Sequence, residues 1–75
     1  MKTMICKQLG GACDKEFHAQ TFDEIASQSR EHGMEMMVSG DPAHMEAMQK
    51  MQAMMQQPGA LQKWMDEREK EFDAL

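Results

Sequence analysis

Seventy-five residues with a formal net charge of −5 fit one small domain and exclude a dinucleotide-binding sheet or a deep catalytic cleft. The eight Lys and Arg are spread along the chain without a run, which argues against nucleic acid as a partner. No apolar stretch reaches the length of a membrane span or a secretory signal, so the two cysteines are expected as free or metal-bound thiols in a reducing cytoplasm.

A core this small seldom suffices alone, and chains below roughly 80 residues add a metal, an oligomer interface or very regular helix packing. By composition, residues 1–20 hold both cysteines and a Gly-Gly pair, and residues 21–75 are rich in Met, Gln, Glu and Ala; the chain is read as one domain over 1–75, with a hairpin–helix part (1–40) and a Met-rich helical extension (41–75).

The first segment predicts a β-hairpin. Thr3-Met4-Ile5-Cys6-Lys7 is a short apolar run, Gly10-Gly11 can occupy a tight two-residue turn, and Cys13 to His18 returns. That turn sets Gln8 opposite Cys13, Cys6 opposite Lys15 and Met4 opposite Phe17. A longer loop sets Cys6 directly opposite Cys13. Either register puts Met4, Cys6, Cys13 and Phe17 on one face, with the two thiols as neighbours.

Thr21-Phe22-Asp23-Glu24 has the form of a capping box and starts the first helix. Phe22, Ile25, Ala26, Ser29 and His32 follow at helical spacing. The helix ends either at Gly33, with a left-handed cap, or at Gly40. Asp41-Pro42, an N-cap followed by proline at the first helical position, starts a second helix that reaches about Gln57. After Pro58-Gly59 a third runs from about Ala60. Its apolar stripe is Leu61, Trp64, Met65, the stem of Arg68, Phe72 and Leu75, with Lys63–Glu67 and Asp66–Lys70 as opposite charges four apart. The expected fold is α+β: a hairpin followed by two or three helices, a ββα-knuckle-like core with a methionine-rich extension.

Cys6-x6-Cys13 on the hairpin, with His32 on the inward stripe of the next helix, is the sharpest chemical constellation. Two thiolates on a hairpin and an imidazole from the helix packed across it are three of the four N or S donors that tetrahedral zinc requires. In so short a chain the ion would also supply folding energy. The competing reading makes both cysteines small apolar core residues and His32 a satisfied core or C-cap histidine.

Cys6-Lys7-Gln8-Leu9-Gly10-Gly11-Ala12-Cys13, then Thr21-Phe22-Asp23-Glu24-Ile25 and His32-Gly33-Met34, resembles a family of short prokaryotic proteins of unknown function labelled predicted small metal-binding proteins. The family pattern is Cys, six residues with a central Leu-Gly, Cys, a hairpin return, an acidic-capped helix and a His about nineteen residues after the second Cys. Cys6, Leu9, Gly10, Cys13 and His32 stand at those places, and the likeness spans about residues 4–40. It implies metal binding by Cys6, Cys13 and His32. Relatives carry a second His about five residues after the first, where this chain has Met37, and a thioether is a poor zinc ligand that prefers Cu(I). The fourth donor is therefore open among His18, His44, Asp14, a water and a group from a second chain. By strand alternation His18 faces away from Cys13 unless a bulge intervenes.

Met45, Met48, Met51 and Met55, with His44 beside them, mark one face of the second helix. Three readings follow: core filling, an adaptable surface for self-association, and Cu(I) handling. Enzymatic chemistry has little to build on. A thiol and a histidine could pair, but no orienting third residue or oxyanion hole is apparent, and a CxxC redox motif is absent. The expectation is a non-catalytic protein that binds zinc, in a structural or sensory role. The other class of reading is a metal-free interaction module that forms homo-oligomers through its methionine face.

Overall fold

In the computed structural model, which covers residues 1–75, two strands and three helices follow one another along the chain. Strands β1 (Lys2–Ile5) and β2 (Glu16–Ala19) pair antiparallel, with Met4 opposite Phe17 and Ile5 opposite Glu16. The sheet register is the one expected, but the turn is not. Instead of continuing to Gly10-Gly11, β1 stops at Ile5 and the chain winds into a 3-10 turn over Cys6–Leu9. The reason lies in Leu9. On a strand it would point away from Cys6, whereas residues three apart in a 3-10 turn share a face, so Cys6 and Leu9 are buried together. The Gln8 side-chain oxygen accepts from the Ile5 N–H at 2.8 Å, and Gly10 closes the turn at φ 87°.

Helix α1 (Phe22–Ser39) begins with the Thr21 hydroxyl accepting from the Glu24 N–H. It runs straight through Gly33 and ends at Gly40, whose left-handed backbone and N–H close the last turn on the Met36 and Met37 carbonyls. Helix α2 (Pro42–Met55) starts at the expected Asp-Pro signal, and α3 (Ala60–Asp73) follows the turn at Pro58-Gly59. No helix is long and apolar enough to cross a membrane.

The core lies between the hairpin, α1 and the far end of α3. Met4, Phe17 and Ala19 come from the strands, Cys6 and Leu9 from the turn, Phe22 and Ile25 from α1, and Phe72 from α3. Phe72 packs edge-on against Phe22 with ring centroids 6.1 Å apart. Lys2 fastens the same helix end. Its ammonium lies 4.9 Å from the Phe72 ring centroid and donates to the carbonyls of Phe72 and Asp73.

The expected α3 stripe is only partly inward. Trp64, Met65 and Arg68 are half-buried and Phe72 is buried, but Leu61 and Leu75 are 50% and 59% exposed. The charge pairs also differ from those expected. Arg68 bonds Glu71 at 2.9 Å, and Asp66 accepts from Gln62 at 2.8 Å. The methionines of α2 do not fill the core. Met48, Met51 and Met55 are half-buried against the rest of the molecule, while Met45 and Met54 are exposed. A spacing of three drifts around a helix by about 60° per step, so Met45 turns away from the side that Met48, Met51 and Met55 share.

Candidate metal centre

The turn conformation sets the two thiols. The Cys6 N–H bonds the Lys15 carbonyl at 2.9 Å, continuing the ladder for one residue. The Lys7 N–H then reaches the Cys13 carbonyl (3.1 Å) and the Gly11 N–H the Cys6 carbonyl (2.9 Å), folding the loop into a knuckle around the Cys6 side chain. Gly11 is required for space: a Cβ there would fall 2.0 Å from Cys6 Sγ. Cys6 is buried, Cys13 is half-buried at the rim, and both are free thiols.

His32 comes off the inward stripe of α1, 6% exposed, with its ring edge-on to Phe17 at 5.7 Å. Its Nε2 lies 3.3 Å from Cys13 Sγ. A second histidine completes the group. His44, in the first turn of α2 and also 6% exposed, brings its Nε2 to 3.6 Å from Cys6 Sγ. The two imidazoles stand nearly perpendicular, with centroids 5.2 Å apart. The four donor atoms of Cys6, Cys13, His32 and His44 all lie within 4.8 Å of one another. Zn–S near 2.3 Å and Zn–N near 2.0–2.1 Å give a tetrahedron with edges of about 3.4–3.8 Å. The two thiol–imidazole separations already match that scale, so a small contraction would close the set on an ion.

Asp41 orients His44. One carboxylate oxygen, Oδ2, accepts both the His44 backbone N–H at 2.9 Å and, through a short hydrogen bond, the ring Nδ1–H. The first bond caps α2; the second fixes the tautomer that leaves Nε2 free to donate a lone pair toward the thiols.

The electrostatics of the metal-free group follow from these contacts. The Asp41 hydrogen bond holds His44 above the ordinary imidazole value, against the effect of burial. The bonds from the His44 side chain and backbone lower the Asp41 carboxyl. Burial lowers His32, and the charge of His44 adds to this, so the neutral imidazole is favoured there. Burial raises the Cys6 thiol. Burial also opposes ionisation of Cys13, but the Lys15 backbone N–H, His44 and Cys6 together outweigh it and bring that thiol below its ordinary value.

Cys6, Cys13 and His32, the three residues singled out by spacing, are thus brought together, and His44 of the same chain is the fourth. The other candidates for that place lie elsewhere. His18 is on the outer face of β2, with Nδ1 2.9 Å from the Thr3 hydroxyl and Nε2 3.5 Å from Glu16. Asp14 is exposed and pairs with Lys7 at 3.3 Å. Met37 is 53% exposed. No water or second chain is needed to complete four donors. The orienting role of Asp41 was hidden, although its signal, Asp-Pro-x-His, is visible: an N-cap carboxylate with a histidine three residues on. No family model, curated protein or solved structure matches this chain.

Proposed function

We propose that this is a small non-catalytic metal-binding protein whose Cys6, Cys13, His32 and His44 hold zinc in a structural or sensory role. The observation that carries the reading is the convergence of four donor atoms within 4.8 Å from the hairpin turn, α1 and α2, with both histidines buried. Charge favours a divalent ion. Two thiolates and two neutral imidazoles carry −2, so a divalent cation leaves the buried site neutral, whereas a monovalent one leaves an uncompensated charge. The Cys2His2 composition suits zinc. Four protein donors fill a tetrahedron and leave no open position for substrate, which is the basis for reading the site as non-catalytic. The resemblance to prokaryotic predicted small metal-binding proteins, and the thiol usage expected of a reducing cytoplasm, point the same way.

The test is to purify the protein without chelator and measure bound metal and thermal melting, with Cys6→Ser and Cys13→Ser alongside. One zinc per chain and a melting temperature lowered by chelator are expected. Substoichiometric metal, with melting unchanged by chelator, would overturn the reading. A second reading, self-association, is favoured by the exposed Met34, Met37 and Val38 near the end of α1 and by Met45 and Met54 on α2. It predicts a mass that rises with concentration, and a mass independent of concentration removes it.

A further inference from the structure

Beside the four-donor centre lies a cavity of about 300 Å³. Cys6, His32 and His44 are among the residues that line it, and so are four methionines, Met37, Met48, Met51 and Met55. None of the lining residues is Asp, Glu, Lys or Arg. His44, Met48, Met51 and Met55 are spaced by four, three and four residues on α2, so they lie on one helix face, descending about one turn (roughly 5 Å) at a time from the centre. Two of these side chains are seated on glycines beside the site. Met51 lies over Gly10, with its sulfur the nearest atom, 3.0 Å from where a Cβ would stand. The Met48 methyl lies over Gly33, next to His32, at 3.5 Å by the same measure. A hard or divalent cation needs several oxygen donors or compensating anions, and this cavity has no carboxylate and only the side-chain oxygens of Ser29 and Gln52. Thioethers in a neutral, half-buried pocket suit a soft, weakly hydrated monovalent cation.

We infer that this cavity is a second cation site, separate from the four-donor centre, that takes a soft monovalent ion of the Cu(I) class on the thioethers of Met48, Met51 and Met55. The side chains are long and unbranched, so the sulfurs can turn inward without moving the backbone. The site uses none of the four centre donors and stands independently of the zinc reading.

The test is titration of the zinc-loaded protein, carrying 13C-methyl methionine, with Ag(I) as a redox-inert probe. A chromogenic chelator reports any released zinc. The methyl resonances of Met48, Met51 and Met55 are expected to shift together and saturate while zinc stays bound. The Met48→Leu/Met51→Leu/Met55→Leu variant keeps the volume and the zinc, and should lose the saturable Ag(I) uptake. Should that variant fail to fold, Met51→Leu alone is expected to weaken uptake. The inference is overturned if the three methyls stay put while Ag(I) releases zinc. It is equally overturned if all eleven methionines move alike without saturation, or if the leucine variant takes up Ag(I) as the wild type does. Should the protein hold no zinc, the zinc reading falls alone. The same titration, carried on the zinc-free chain past saturation of the thiols, then decides the cavity site by the same three methyls.

Discussion

Asp41 performs two tasks with one oxygen, and two substitutions separate them. Asn is as good an N-cap as Asp, so Asp41→Asn keeps the bond to the His44 backbone N–H and leaves α2 intact. It removes the negative charge that accepts the His44 Nδ1–H and raises the basicity of Nε2. Losing such an orienting partner typically weakens a metal site about 10–100-fold, or ~1.4–2.8 kcal/mol. Asp41→Ala removes the cap as well, at a further cost of about 1 kcal/mol that appears even without metal. In a domain of this size that corresponds to roughly 4–8 °C in Tm. The assays are competition with a chromogenic zinc chelator, for affinity, and thermal melting in excess chelator, for the cap. The expected pattern, measured at a pH above the His44 titration, is weakened zinc binding in both variants and a lowered metal-free Tm in the alanine variant only. Zinc affinity of wild-type strength in Asp41→Asn would refute the reasoning and reduce Asp41 to a helix cap.

Three further outcomes follow from the geometry. Gly11→Ala drives a methyl group into Cys6 Sγ, so it should cost about 1–3 kcal/mol and weaken metal binding; unchanged melting and affinity would show that the knuckle yields freely. Gly33→Ala meets only an ordinary contact with the Met48 methyl inside α1, so it should stabilise the protein by about 0.5–1 kcal/mol in denaturant unfolding without altering zinc affinity. In the metal-free protein, NMR titration should place His44 above and His32 below the ordinary histidine value, with Asp41→Asn bringing His44 down. The raised His44 contributes stability below the ordinary histidine value that is lost as pH rises through its folded pKa. The depressed His32 acts oppositely: stability falls as pH drops from the ordinary value toward its folded pKa. Because ligands must be deprotonated, zinc affinity should fall on acidification first through the thiols, Cys6 above all, and among the histidines through His44 before His32; coincident titration of the two histidines would contradict the assigned contacts.

Local signals that correspond to one physical cause were readable. The Thr21 cap and the Asp41-Pro42 start each depend on neighbouring residues alone, and each is present; the pairing of Met4 with Phe17 is also present, although the two-residue turn that predicts it is not. The 3-10 turn was not readable, because two-residue turn chemistry at Gly10-Gly11 competes with burial of Leu9, and only the assembled core shows that burial wins. The end of α1 was undecided because Gly33 and Gly40 are equally able to stop a helix. Tertiary packing against α2 carries the helix past the first. Cys6, Cys13 and His32 could be grouped by spacing, since the hairpin and the following helix are adjacent. His44 could be placed only among several candidates, because its approach depends on how α2 folds back after Gly40. The methionine face was legible in part: Met48, Met51 and Met55 lie on the His44 side and are half-buried, but Met45 is exposed, because Met has high helix propensity wherever it sits and its number says little about which side is covered.

The order of the four donors along the chain has a consequence for biogenesis. Positions 6, 13, 32 and 44 all precede α3, whereas the contact that closes the other side of the core, Phe72 on Phe22, comes from nearly the last residues. A ribosome therefore delivers a complete set of metal donors well before it delivers the apolar lid. An ion captured before α3 has docked would draw together the loops between the hairpin, α1 and α2, so that the last helix docks onto a surface already assembled. Supply of the ion while the chain folds, and not only to the finished protein, would then govern how much of the chain reaches its native form.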